Sequence, residues 1–232
     1  MSIENAKKKA GYAAGDEYIK DGMVVGIGSG STVVYAVERL VERVKKENIK
    51  VICIPTSFQS TQFIVEGGLP LGDLSRNPVI DVDIDGADEV DANLNLIKGG
   101  GGCQTQEKIV ASCSKQLVIV ADNRKDSKIL GEQWKKGIPV EVIPMAYVPL
   151  MKKFEAMGAK PVLRMAKAKA GPVVSDNGNF VIDVDFGLIK DPATLEQKIK
   201  MLPGVVETGL FIQMVVKAYF GQEDGSLTSR SR

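Results

Sequence analysis

Residues 79–108 read VIDVDIDGADEVDANLNLIKGGGGCQTQEK. Apolar residues alternate with aspartate from Val79 to Asp85, and a period of two places the apolar set on one face of a strand and Asp81, Asp83 and Asp85 on the other. Asp88, Glu89 and Asp91 follow, then Lys98, four glycines at 99–102, and Glu107 in the first turn of a helix expected over 105–114. Four consecutive glycines disfavour both helix and strand, so they mark a place where backbone must come close to something else. A strand that ends in carboxylates and leads to such a loop reads as part of a ligand-binding α/β sheet.

The chain on either side fits that sheet. Strands are expected at 23–27, 51–54, 79–85 and 117–121, with helices at 32–46 and 105–114. The helix at 32–46 carries Val33, Val37, Leu40, Val41 and Val44 as one apolar stripe, with Glu38, Arg39, Glu42 and Arg43 opposite. From about Gly131 the order becomes strand 140–143, helix 145–157, strands 160–165 and 179–185, helix 194–201 and strand 205–210, the βαββαβ order of a ferredoxin-like unit. A further strand at 214–220 is expected to return to the first domain, and the closing GQEDGSLTSRSR to fray. The expected fold is therefore α/β: an open, mainly parallel, Rossmann-like sheet domain (1–130 plus 211–232) with a smaller ferredoxin-like α+β domain (131–210).

Composition restricts the chemistry. The 232 residues include 30 basic and 29 acidic side chains, a formal charge of +1, which offers no global field for nucleic acid or anionic lipid. No apolar run approaches the roughly 20 residues that span a bilayer, and the N-terminal sequence lacks an apolar signal core, so a cytoplasmic protein is expected. Cys53, Cys103 and Cys113 have no metal-site spacing, and Cys53 and Cys113 read as small core hydrophobes. Histidine is absent altogether, which excludes a Ser-His-Asp triad, a Cys-His pair and histidine metal ligands. Proton transfers must then use carboxylate, lysine, tyrosine, cysteine or water.

Ligands of open α/β sheets lie beyond the carboxyl ends of the strands. The first strand is followed by Gly26-Ile27-Gly28-Ser29-Gly30-Ser31-Thr32, the second by Pro55-Thr56-Ser57, the third by Asp85 and Asp88, and the strand ending at Ala121 by Asp122, Asn123, Arg124 and Lys125. Hydroxyls and helix-start amides suit a phosphate, and carboxylates suit sugar hydroxyls, so a small phosphorylated polyol fits the set better than a nucleotide. A dinucleotide site would want glycine where Ser31 stands and an acidic residue at the end of the second strand. A calcium loop, suggested by Asp81, Asp83, Asp85 and Gly86, would want a glutamate where Ala92 stands. On a helical wheel Glu107 groups with Val110, Ala111 and Ser114, away from Ile109 and Cys113. The competing reading of Glu107 is a solvated first-turn glutamate favoured by the helix dipole.

DIDGADEVD, LIKGGGG and QEK, preceded by GIGSGST and followed by VIVADNRK, resemble the A-type ribose-5-phosphate isomerase family, and VEVIPMA, SDNGNFVIDVD and PGVVETGLF resemble its second domain. The resemblance implies metal-free, cofactor-free interconversion of ribose 5-phosphate and ribulose 5-phosphate through an enediolate. It implies Glu107 as the base, Lys98 as stabiliser of developing oxyanion charge, and Asp85 and Asp88 as contacts to sugar hydroxyls that assist ring opening. The substrate-binding set it implies is Ser29, Gly30, Ser31, Thr32, Asp85, Gly86, Ala87, Asp88, Lys98, Gly99, Gly100, Gly101, Lys125 and Lys7. The implied substrate is a small pentose phosphate; the charge balance and short apolar runs predict no nucleic acid and no membrane, and the size and two-domain α/β organisation predict a homo-oligomer, dimer or tetramer. Between the glycines and Glu107 the chain departs from the family, with Cys103, Gln104, Thr105 and Gln106 where apolar residues and an arginine are usual. The alternative function is a non-catalytic sugar-phosphate sensor on the same fold; a nicotinamide-dependent dehydrogenase ranks third.

Overall fold

The computed structural model describes residues 2–232. In chain order the elements are α1 (Ile3–Tyr18), β1 (Val24–Ile27), α2 (Val33–Glu47), β2 (Ile52–Pro55), α3 (Phe58–Glu66), β3 (Val82–Asp85), β4 (Glu89–Val90), β5 (Leu96–Ile97), α4 (Gln104–Ser112) and β6 (Leu117–Asp122). They continue with β7 (Ile138–Val142), α5 (Tyr147–Ala156), β8 (Lys160–Leu163), β9 (Phe180–Asp185), α6 (Pro192–Lys200), β10 (Val205–Thr208), β11 (Leu210–Phe211), β12 (Val215–Gly221) and β13 (Leu227–Ser231).

The chain forms two compact units. One contains the residues up to Ala87, Gln106–Asp126 and Gln213–Arg232; the other contains Asp88–Thr105 and Ser127–Ile212. The expected boundary at 130/131 therefore falls at 126/127, and 88–105, expected in the first domain, packs with the second unit. The reason is local pairing: β4 and β5 form a small antiparallel sheet with β11, and Glu89 accepts hydrogen bonds from Ser127 Oγ (2.7 Å) and the backbone of Gly131 (2.6 Å).

The first unit is built on a six-stranded sheet ordered β13-β12-β6-β3-β1-β2, parallel except for β13. Helices cover both faces, so its strands are apolar on both sides: every residue of β6 is buried. Ala10 and Ala14 of α1, Val33, Val37 and Leu40 of α2 and Ile64 of α3 share one core with Val25, Ile84 and Val118 of the sheet, while Val110 of α4 packs with Ile54 and Ile80. Helix α1 meets α2 through a face of alanine and glycine; a Cβ on Gly11 would lie 2.8 Å from the Ala36 nitrogen, so only glycine permits that approach. The C-terminal tail, expected to fray, is instead the edge strand β13, antiparallel to β12, and Arg230 pairs with Asp126 at 2.6 Å.

In the second unit β7 to β10 form an antiparallel sheet ordered β10-β7-β9-β8, the strand order of a ferredoxin-like unit. Ile138, Val140 and Val142 of β7 with Ile182 and Val184 of β9 pack against Leu150 and Phe154 of α5 and Ile199 of α6. Leu150 and Phe154 stand four residues apart, on one helical face.

Candidate active site

In the first unit the loop after β1 is shaped around a carboxylate. A Cβ on Gly28 would lie 2.0 Å from Asp85 Oδ1 and 2.6 Å from its Cα, so glycine is required for β1 to pass beside Asp85. Asp85 Oδ1 accepts hydrogen bonds from the N–H groups of Ser29 (3.1 Å) and Gly86 (2.7 Å). The glycine spacing that suggests a dinucleotide thus serves an aspartate on the neighbouring strand. Behind the loop, Ser29 Oγ donates to Ser57 Oγ at 2.6 Å and lies 3.1 Å from Thr56 Oγ1, and Gly30 N–H donates to Gln59 Oε1 at 2.9 Å. Ser31 is exposed and Thr32 half-buried, and the Thr32 hydroxyl makes no capping bond to α2.

Of the other aspartates on the strand expected over 79–85, only Asp83 lies in β3. Asp83 is fully buried because α4 covers that side, and Asp81 is held at the strand entry by the Val24 N–H (2.9 Å) and Lys115 (2.7 Å). Lys115 and that N–H hold the Asp81 carboxyl below the usual range. Lys125 lies half-buried in the turn after β6, which Asp122 caps through the Arg124 N–H. Burial opposes ionisation of Asp122, but the Arg124 guanidinium outweighs it and keeps the carboxyl below its ordinary value. Lys7 is paired with Glu4 at 2.7 Å, and Glu4 also accepts the Tyr35 hydroxyl.

Glu107 lies in the first turn of α4 yet is only 5% exposed, on the same face as buried Val110 and Ala111, while Ile109 on the other side is 48% exposed. A solvated first-turn glutamate would show the reverse. Its orientation follows from helical geometry, since three- and four-residue spacings share a face.

The second unit holds the remaining acidic and glycine-rich residues. Asp88 Oδ2 accepts the Gly100 N–H at 2.6 Å. Lys98 is 3% exposed, its N–H bonded to the Gly209 carbonyl (2.8 Å) and its ammonium 5.4 Å from the centre of the Phe211 ring. Gly99 is buried, whereas Gly100 and Gly101 are exposed. Glu89 and Asp91, equally acidic in the sequence, are structural: Glu89 is fully buried among donors, and Asp91 accepts from the N–H groups of Asn93 and Asn95, both at 2.8 Å. Glu141, which motif reading passed over, is buried and accepts from Thr105 Oγ1 (2.5 Å), Ser175 Oγ (2.9 Å) and the Asn177 and Asn179 amides. It ties the start of α4 to the second sheet, and its strand pattern alone gave no sign of that partner. Among the described residues no group of three or more His, Cys, Asp or Glu side chains is placed to hold a metal ion.

Comparison with known proteins decides the family. Residues 52–225 match the model for ribose 5-phosphate isomerase A (phosphoriboisomerase A). The chain belongs to that family. It is 62% identical over 234 residues to the ribose-5-phosphate isomerase of Dictyostelium discoideum, covering 100% of both chains. It is 57% identical over 230 residues to the human ribose-5-phosphate isomerase, covering 99% of this chain and 74% of the human one. Among solved structures, ribose 5-phosphate isomerase A from Methanocaldococcus jannaschii superposes with a TM-score of 0.93 at 41% identity, over 100% of both chains. A D-ribose-5-phosphate isomerase in complex with phospho-erythronic acid gives a TM-score of 0.95 at 38% identity, again over 100% of both. The fold is thus the α/β architecture of this isomerase family.

Proposed function

We infer that the chain's isomerase chemistry is carried by Glu107, Lys98, Asp85 and Asp88. As a member of the family the chain is an aldose-ketose isomerase that interconverts D-ribose 5-phosphate and D-ribulose 5-phosphate, a step of the pentose phosphate pathway. In the proposed mechanism the Glu107 carboxylate removes the proton from C2 of the open-chain aldose. The C2–H electron pair forms the C1–C2 double bond, the C1 carbonyl pair moves onto O1, and the Lys98 ammonium stabilises that charge. O1 gains and O2 loses a proton, and Glu107 returns its proton to C1 as the C2 carbonyl forms. Asp85 and Asp88 contact sugar hydroxyls and assist ring opening.

The Ser29–Thr32 loop with Lys125 and Lys7 is assigned to substrate binding, and Gly86, Ala87 and Gly99–Gly101 to close backbone contacts. These groups supply base and charge without a metal. For Lys7 this role requires release of its pairing with Glu4.

The observation that carries the reading is the burial of Glu107 on the inner face of α4. Glu107→Gln lowers kcat by about 10²- to 10⁴-fold with the fold intact, read as ribulose 5-phosphate formed by purified protein in EDTA. Near-normal turnover would remove Glu107 from the mechanism. Loss of wild-type turnover in EDTA, restored by a divalent ion, would contradict a metal-free reaction. We also propose a cytoplasmic homo-oligomer: the three cysteines are free, as a reducing compartment keeps them, and Phe58, Met145 and Met201 expose large apolar side chains. No helix among the described residues is long and apolar enough to cross a membrane.

A further inference from the structure

The sheet of the second unit has two chemically different faces. One is the apolar face against α5 and α6. On the other stand Glu141 of β7 and Asp183 of β9, and Arg164 follows directly on β8. Asp183 pairs with Pro139 across the ladder, and Pro139 and Glu141, two residues apart, share that face.

Arg164 is held by Asp183 in a two-point pair, Nε to Oδ2 at 2.9 Å and Nη2 to Oδ1 at 2.5 Å. Such a fork fixes the guanidinium plane as well as its position. The remaining terminal nitrogen, Nη1, donates to the carbonyl oxygens of Gly99 (2.9 Å) and Gly100 (3.2 Å). In a trans peptide the C=O and the following N–H point in opposite directions. With the Gly99 carbonyl turned toward Arg164, the Gly100 N–H must point away from it, and there it meets Asp88 Oδ2 at 2.6 Å. The Gly101 N–H, in the next plane, is likewise turned away from Arg164. Glycine linkers have no side chains to fix these planes, so the guanidinium supplies what their sequence lacks.

We infer that Arg164 is a positioning residue of the isomerase: through the Gly99–Gly100 peptide plane it sets the orientation of the Asp88 carboxylate. The inference rests on the reading that Asp88 contacts substrate. Arg164 need not touch the substrate, because a displacement of about 1 Å in a group that does is enough to lower turnover about 10²-fold.

The test is a double-mutant cycle on the full chain, with kcat and KM for ribose 5-phosphate and a thermal melt for each variant. Arg164→Met is expected to lower kcat about 10- to 100-fold while the protein still melts cooperatively. Arg164→Lys, which can place one donor but no fork, falls between it and wild type. Arg164→Met combined with Asp88→Asn is expected to be no slower than Asp88→Asn alone, because both act through one carboxylate. A merely structural role would multiply the two losses and overturn the inference. A slow Asp88→Asn beside an Arg164→Met with kcat within about twofold of wild type overturns the inference alone. A full-rate Asp88→Asn overturns the assignment of Asp88 and the inference with it. Should Arg164→Met fail to fold, Asp183→Asn and Arg164→Lys replace it in the same cycle, read in the same way.

Discussion

Gln104 is fully buried, and among the described residues neither its amide oxygen nor its amide nitrogen has a hydrogen-bond partner. Its Oε1 lies so close to Gly99 that a Cβ there would be 2.6 Å away. A buried polar group left unsatisfied costs about 1–3 kcal/mol, and an apolar side chain of similar size removes that cost. Gln104→Leu should therefore stabilise the protein, with Tm higher by about 2–12 °C for a chain of this length. A melt showing no gain, or a loss, would mean that the amide is satisfied by solvent. At Gly28 the direction is opposite. Alanine there would have to displace the Asp85 backbone as well as its carboxylate, so Gly28→Ala should cost about 1–3 kcal/mol in chemical denaturation, the usual effect of overpacking. A Gly28→Ala protein as stable as wild type would show that β1 and β3 part easily.

Helix α3 connects stability to the loop after β1 that is proposed to bind substrate. Ser57 caps it, accepting the Ser60 N–H at 3.0 Å, and the same oxygen accepts Ser29 Oγ. Ser57→Ala should lower stability by about 1 kcal/mol and raise KM more than it lowers kcat, since the loop loses an anchor and the proposed base is untouched. Steady-state kinetics beside a urea titration would check this; an unchanged KM would disconnect α3 from binding. The same helix shows where the sequence falls silent. Its capping box uses Ser60 where glutamate or glutamine is the common signature, so α3 goes unread. Helix α1 goes unread because its buried face is Ala6, Ala10, Gly11, Ala14 and Gly15, residues too small to register as an apolar stripe. By contrast α2, with five valines and leucines at helical spacing, and the continuous apolar run of β6 are plain in the sequence. The acidic motif is conspicuous, but only tertiary partners show that Glu89 is buried among donors and that Asp91 is held by the Asn93 and Asn95 N–H groups. Arg164 and Glu141 are invisible for the same reason: their partners lie 65 and 36 positions away in the chain, beyond any local pattern.

Across the whole molecule, the absence of histidine and the direction of the resolved pKa shifts define a stability plateau. On the acid side, Lys115 and the Val24 N–H lower Asp81, Lys217 and Tyr219 lower Glu17, and Arg124 overcomes burial to lower Asp122. A carboxyl whose pKa is lower folded than unfolded contributes stability above its unfolded value, about 4, and loses it as pH falls through the folded value. Asp81 and Glu17 are partly solvated, so each contributes little; Asp122, 1% exposed, contributes more. On the alkaline side burial pushes the Cys53 thiol up to about 12, and burial with the Glu42 and Glu38 bonds pushes Tyr12 up to about 12. These groups stay neutral in the folded chain after they ionise in the unfolded one, so their contribution is complete below the unfolded values, about 8.5 for cysteine and 10 for tyrosine. It is lost as pH rises toward 12. With no imidazole to titrate between, unfolding free energy should be nearly flat from about pH 5 to 8, fall below about 4 and fall again above about 9. Urea titrations across pH 3–11 would show it. A step between pH 6 and 7.5 would mean that a carboxylate or amine titrates far from its ordinary range, and a buried acidic group would then be the first place to look.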